Sequence, residues 1–121
     1  MIQKVNLSQK FSLFNDHWSP KLAGRVDHYA VKLVKVQGEF VWHHHDDEDE
    51  LFLVTKGQLT IEVKDQPDIV LDAGEFVVIP KGVEHRPVAA EEVELLLFER
   101  EAIINTGNVE SEHTVKKLDE I

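Results

Sequence analysis

The chain has no cysteine, and this absence excludes several kinds of functional site. Without thiols there is no disulfide scaffold, no cysteine nucleophile and no cysteine-ligated zinc or iron–sulfur centre. The absence is also compatible with a reducing compartment, and we expect a cytoplasmic protein.

Long apolar runs and basic clusters are missing as well. No stretch approaches the roughly 20 apolar residues that a bilayer-spanning helix requires, and the first 14 residues lack the apolar core of a signal peptide. The 23 acidic residues outnumber the 13 Lys and Arg, which gives a formal charge of −10. Because nucleic acid is bound by concentrated Lys and Arg, we expect neither nucleic acid nor a membrane as a partner.

The 121 residues are enough for one domain with a single core, and we treat residues 1–121 as that domain. Between residues 26 and 100, short runs rich in Val, Ile, Leu and Phe are separated by turns containing Gly or Pro. Residues 58–64 alternate apolar and polar side chains, which is the period of a half-buried strand. The pattern predicts an all-β sandwich or barrel. Thr114 is expected to cap a short C-terminal helix.

Three consecutive histidines are followed directly by five acidic residues, 46–50. On a strand, His43 and His45 would share one face and His44 the other, and two imidazoles about 7 Å apart can converge on one ion. A nearby carboxylate would supply a third ligand, and His85 a further imidazole. Such a set suits a divalent first-row metal. A histidine on a strand is more often a surface or core residue, so both interpretations remain open on these grounds.

The spacing of these residues forms two motifs. Motif 1, residues 38–57, has the order Gly38, His43-x-His45, Glu50, Gly57, and motif 2, residues 74–89, has the order Gly74, Pro80-x-Gly82, His85. Together they closely resemble the two sequence motifs of the cupin superfamily, and in particular its small single-domain members of the conserved-barrel (cupin 2) type. The resemblance covers about residues 30–100. Motif 1 is one residue shorter than is common between Gly38 and His43, and Ala89 stands where an Asn is common in motif 2.

The resemblance implies a double-stranded β-helix, the jelly-roll-like cupin barrel. It also implies that His43, His45, Glu50 and His85 bind one divalent transition metal, which could be Fe, Mn, Ni, Co, Cu or Zn. Asp49 is the alternative carboxylate, because a strand continuing unbroken from His45 would place it on the ligand face. A turn within the acidic run resets that alternation and favours Glu50.

Neighbouring side chains extend the predicted site and suggest an assembly. After such a reset, Phe52 and Val54 share the face of Glu50, so they are candidate substrate-binding residues, with ordinary core positions as the alternative. Phe40 and Trp42 alternate with His43 and are expected on the outer face. Exposed aromatic residues there would suggest an interface, and we expect a homodimer.

Four protein ligands on a six-coordinate metal would leave two positions for water, substrate or O₂. The interpretation we favour is a small metalloenzyme that acts on a polar small organic molecule, of the dioxygenase, lyase or sugar isomerase type. The alternative is a non-catalytic, metal-dependent module that binds or senses a small molecule. The enzyme is favoured because a binding module could tolerate the loss of a ligand, whereas all four are present.

Overall fold

The computed structural model describes all 121 residues and is built almost entirely from strands. The strands are β1 (Lys21–Val26), β2 (Tyr29–Glu39), β3 (Glu50–Lys56), β4 (Gln58–Val63), β5 (Ile69–Asp72), β6 (Phe76–Ile79) and β7 (His85–Arg100). One short helix, α1 (Leu7–Phe11), precedes them. No helix is long and apolar enough to cross a membrane.

All strand pairings are antiparallel, and β7 connects the two halves of the barrel. The strand order is β1-β2-β7-β3-β6, and β4 joins β7 on one side and β5 on the other. The 16 residues of β7 pair first with β4 near His85 and later with β3 near Leu97, while β2 follows much of its length. The structure therefore confirms the predicted all-β barrel.

Alternating side chains fill the barrel interior. Within β4, Leu59, Ile61 and Val63 are buried while the residues between them are partly exposed. Val54 and Val93 are also completely enclosed. Burying an aliphatic side chain of this size contributes about 1.5–3 kcal/mol, so this row stabilises the barrel core, with Val63 paired opposite His85.

The predicted C-terminal helix is wrong: residues 114–121 form no helix, and hydrogen bonds to the preceding loop and to β1 hold them instead. The Thr114 hydroxyl accepts from Ser111 N at 3.0 Å and pairs with the hydroxyl of Thr106 at 2.7 Å. Ile121 N donates to Leu22 O at 3.0 Å. Eight residues are too few for a helix that is stable by itself, and these tertiary bonds hold the tail in an irregular form.

The expectation that Phe40 lies on the outer face is also wrong. Phe40 is 7% exposed and stacks on Trp18 inside the barrel, with ring centroids 4.7 Å apart. Strand β2 ends at Glu39 and residues 40–42 belong to no strand, so the side chains do not alternate regularly here. Trp42 does lie at the surface, 40% exposed, with its ring 5.3 Å from the guanidinium carbon of Arg86.

Candidate metal centre

The four side chains that the motifs select meet inside the barrel. One ligand atom from each of His43, His45, Glu50 and His85 lies within 4.8 Å of the other three, and all four residues are buried. Glu50 Oε1 is 3.2 Å from His45 Nε2 and 3.3 Å from His85 Nε2. Donor atoms about 2.1 Å from one first-row metal ion are separated by about 3.0–4.2 Å in an octahedral shell. The cluster is therefore close to the size of such a shell.

Strand ends and one bridge place these residues together. Glu50 is the first residue of β3 and His85 the first of β7. His43 forms an antiparallel bridge to His85, with reciprocal backbone hydrogen bonds of 3.0 and 2.9 Å. The carbonyl oxygen of His45 accepts from Gly82 N at 2.7 Å. The loop of motif 1 is thus fastened directly to the turn of motif 2.

Two of the imidazoles are oriented in the same way, by a hydrogen bond to the carbonyl oxygen two residues earlier in the chain. His43 Nδ1 lies 2.9 Å from the carbonyl oxygen of Val41, and His85 Nδ1 lies 2.8 Å from that of Val83. A carbonyl oxygen only accepts, so each Nδ1 carries the proton and donates it. The neutral ring then presents the lone pair of Nε2 to the cluster, which is the tautomer that a metal ligand needs.

Three polar atoms at the centre of the cluster have no hydrogen-bond partner. They are His45 Nε2, Glu50 Oε1 and His85 Nε2, and all three are buried. Buried polar atoms are nearly always satisfied, and an exception calls for an explanation such as an ion. These atoms face one another, so a single cation would satisfy all three, and the residues fit a bound metal.

Burial and mutual contacts set the protonation states of the cluster. Burial, together with the neighbouring His85, lowers the pKa of His43 to about 4. Burial alone would raise the pKa of Glu50, but its contacts with His45 and His85 outweigh that effect and lower it below its ordinary value. At neutral pH a neutral His43 and an ionised Glu50 are the forms that bind metal.

The structure separates the two candidate carboxylates. Asp49 is exposed, and its Oδ1 accepts from Lys81 N at 2.9 Å, outside the cluster. Residues 46–49 form a bend and loop before β3 begins, which is the predicted reset of alternation. His44 faces away from the cluster, where its ring nitrogens lie 2.8 Å from Glu84 and 2.8 Å from Asp46.

A cavity of about 40 Å³ adjoins the cluster, and it distinguishes the two residues predicted to bind substrate. Phe52 lines this cavity, with its ring centroid 6.1 Å from that of His85. Val54 is completely buried in the core and does not line the cavity. For Val54 the structure therefore favours an ordinary core position over a substrate-binding role.

A buried ion pair beside Glu50 did not emerge from the sequence. Lys32 Nζ donates to Glu99 Oε2 at 2.7 Å, and both side chains are 2% exposed. Burial raises the pKa of Glu99 well above its ordinary value, and the nearby charge of Glu50 adds to that rise. The alternation of side chains along β2 could have revealed the buried lysine, because Lys32 occupies an inward position between Ala30 and Val34.

The loop around Gly107 is hydrogen-bonded to the histidine segment, residues 43–45. Asn108 N donates to His44 O at 3.1 Å, and His44 N donates to Asn108 Oδ1 at 2.9 Å. Gly107 has a φ of 56°, and a Cβ there would collide with the carbonyl oxygen of His44. The sequence indicated a turn at this point but not its contact with the centre.

Comparisons with known proteins agree with the motifs. The family model described as "Cupin domain" matches residues 31–99. The crystal structure of a cupin-2 domain-containing protein from Shewanella frigidimarina NCIMB 400 is 54% identical, with a TM-score of 0.78, covering 79% of this chain and 93% of that one. The uncharacterized protein YdbB of Bacillus subtilis (strain 168) is 48% identical over 61 residues, which are 50% of this chain and 54% of YdbB. The match thus spans about half the length of this curated relative.

A more distant structure shares the fold. Hydroquinone 1,2-dioxygenase PnpCD, solved in complex with Fe³⁺, aligns with a TM-score of 0.74 at 17% identity, covering 83% of this chain and 33% of the dioxygenase chain. At this level of identity the likeness shows the fold alone. From the family match over residues 31–99 and the similarity to the Shewanella protein, the chain belongs to the cupin domain family.

Proposed function

We propose that this cupin is a metal-dependent enzyme in which His43, His45, Glu50 and His85 bind one divalent transition metal and a small organic molecule is transformed beside it. The observation that carries the proposal is the set of three buried atoms without partners that face one another. A cluster with only a structural role would be expected to satisfy its polar atoms internally. Iron, manganese, nickel, cobalt, copper and zinc are all compatible with three imidazoles and a carboxylate.

The residues around the centre have separable roles in this proposal. A bound ion of this kind polarises a substrate oxygen, acidifies water or, if it is iron, supports chemistry with O₂. The carbonyl oxygens of Val41 and Val83 hold two imidazoles in the ligating tautomer. Glu50 supplies negative charge, and the apolar cavity wall that includes Phe52 keeps bulk water from the reacting group.

The ion pair of Lys32 and Glu99 supports an enzyme over a binding module. It places a second acidic group against Glu50, which is the kind of group that proton transfer near the centre would require. The alternative, a metal-dependent binding or sensing module, is favoured by a different observation. The wall of the cavity is apolar and offers no further group for acid–base chemistry.

Turnover by the reloaded chain tests the proposal. Untagged protein is stripped of metal, reloaded with each of the six metals in turn, and incubated with alcohols, phenols, ketones, hydroxy acids and sugars. O₂ uptake and substrate loss are followed in parallel. We expect turnover with at least one metal, its loss in His45→Ala, and its retention in His44→Ala, because His44 lies outside the cluster. Binding without turnover in every metal form would favour the alternative.

A further inference from the structure

The cavity beside the centre is walled almost entirely by apolar side chains. Trp18, Phe40 and Phe52 form its aromatic part, and valine and leucine residues from β2 and β7 complete it. His43 and Glu50 enter the lining from the metal centre. The cavity therefore has one polar wall, formed by the centre, and largely apolar walls elsewhere.

The polar atoms on the remaining walls are already engaged. Asn105 Nδ2 donates to His113 O at 2.8 Å and to Trp18 O at 3.3 Å, and its Oδ1 accepts from Val115 N at 2.9 Å. The indole N–H of Trp18 donates to Gln37 O at 3.0 Å. A ligand with several hydroxyl groups would lose its hydrogen bonds to water and find no replacements here.

The charges around the cavity also restrict its ligand. No Lys or Arg lines it, and the buried Lys32 is engaged by Glu99 and by the carbonyl oxygen of Ile103. A charged group on a ligand, other than one that meets the metal, would therefore be buried without a partner. Such burial is strongly unfavourable.

The size of the cavity limits how large a bound ligand can be. Its volume of about 40 Å³ is small, so a ligand held beside the centre must be compact. Trp18 and Phe40 stack against each other at 4.7 Å and leave no space between them for a second ring. A compact group fits, and a fused ring system does not.

We infer that the ligand of this centre is a small molecule with an apolar body of at most one ring, uncharged except for one oxygen-bearing group that faces the four metal-binding side chains. This inference rests on the proposed function and replaces the polar substrate suggested by the sequence with a largely apolar one. Sugars and molecules with a second charged group are disfavoured by the lining, not by the centre itself.

The two tryptophans allow a direct test by NMR. Trp18 lines the cavity and Trp42 lies at the surface, so their indole N–H signals report the site and an internal control. The zinc-loaded chain is titrated with phenol, with D-xylose, and with 4-hydroxybenzenesulfonate, which adds a fixed charge to the same ring. We expect phenol to shift the Trp18 signal saturably and leave Trp42 unchanged, with the other two probes binding at least about tenfold more weakly.

A matched pair of variants locates the binding. Val36→Phe fills the cavity, whereas Val70→Phe adds the same group at the surface. We expect the phenol shift of Trp18 to disappear in the first variant and to remain in the second. If Val36→Phe fails to fold, the comparison of the three probes on the unaltered chain still decides the question.

The outcomes separate this inference from the proposed function. Failure of zinc to bind would overturn the metal centre, and the same phenol titration of the metal-free chain would then test the lining alone. The inference is overturned if D-xylose or the sulfonate shifts Trp18 as strongly as phenol does, or if phenol shifts neither indole or both equally. A Trp18 shift specific to phenol supports it in either metal state.

Discussion

At the scale of single residues, burial determines which side chains of the centre can hold a metal. His43 is enclosed and its Nδ1 donates to a carbonyl oxygen, so the neutral ring presents Nε2 to its neighbours. The pKa of Glu50 lies below its ordinary value, with contact from His45 as the largest cause that lowers it, so the carboxylate is ionised. The protonation state of each residue depends on its neighbours in the cluster. We therefore expect the stability of the metal-free chain to change with pH.

The first prediction concerns the stability of the metal-free chain in acid. The pKa of His43 falls from 6.5 to about 4 on folding, so between these values the unfolded chain binds a proton that the folded chain does not. Stability is therefore retained above pH 6.5 and lost as the pH falls towards 4, by up to about 3 kcal/mol from this group. Urea unfolding at pH 7, 6 and 5 measures the loss.

The matched variants for this prediction are His43→Gln and His28→Gln. We expect the slope of stability against pH to become shallower in the first, because the titrating group is gone. His28 is exposed and lies outside both motifs, so its variant should keep the slope of the unaltered chain. Equal slopes in all three proteins would show that His43 does not contribute the expected pH dependence.

Gly107 gives a second prediction at this scale. In Gly107→Ala the new methyl group collides with the carbonyl oxygen of His44, so the segment that carries His43 and His45 must shift. We expect a loss of about 1–3 kcal/mol in stability together with weaker metal binding. Gly74→Ala is the control, because Gly74 also has a positive φ, of 88°, but its Cβ would meet nothing within 4 Å. Unchanged metal affinity in Gly107→Ala would contradict the supporting role of the loop.

At the scale of elements, the regular strands were the predictable part of the fold. The alternation of residues 58–64 matches β4, and the apolar run 76–79 matches β6. Strand β7 is much longer than its apolar run 93–98, because pairing with β2, β3 and β4 holds its more polar residues in extended form. Helix α1 was missed because five residues are too few for a periodic pattern, although Asn6 caps it at Gln9 N.

In the site, too, features set by neighbouring residues could be predicted from the sequence, and features set by distant segments could not. Motif spacing and the reset before β3 select Glu50 over Asp49, because both depend on neighbours in the sequence. The position of Phe40, the pair of Lys32 with Glu99 and the contact of Gly107 with the histidine segment depend on pairing between distant segments. Such pairing is set by tertiary structure, which a pattern of local alternation does not contain.

The ion pair between β2 and β7 supports a prediction at this scale. Lys32→Met leaves Glu99 buried without its cation, and we expect a loss of about 3 kcal/mol in the free energy of unfolding. The double variant Lys32→Met with Glu99→Leu removes both charges and should recover most of that loss. Denaturant unfolding of the two single variants and the double variant forms the cycle. A double variant as unstable as the sum of the single ones would contradict a direct coupling between the two charges.

At the scale of the whole molecule, the homodimer stays a prediction, but its motivation changes. Phe40 is buried and cannot form an interface, whereas Phe76 and Val78 on the edge strand β6 are 62% and 46% exposed. An exposed apolar edge strand is a common place for a second copy to pair. We expect light scattering to give twice the chain mass of 13.9 kDa, and Phe76→Lys to reduce it to one chain. A mass of 13.9 kDa for the unaltered protein would rule the dimer out.

The barrel brings together an apolar cavity, the buried cluster of His43, His45, Glu50 and His85, and a buried ion pair. The proposed function depends on a metal ion held by that cluster. Elemental analysis of untagged protein, expressed as metal per chain, tests it most directly. Glu50→Ala removes the carboxylate of the cluster, and Asp49→Ala removes the neighbouring carboxylate that lies outside it. We expect close to one transition-metal ion per chain, lost in Glu50→Ala and retained in Asp49→Ala. Little metal in the unaltered protein, or metal that is indifferent to Glu50, would contradict it.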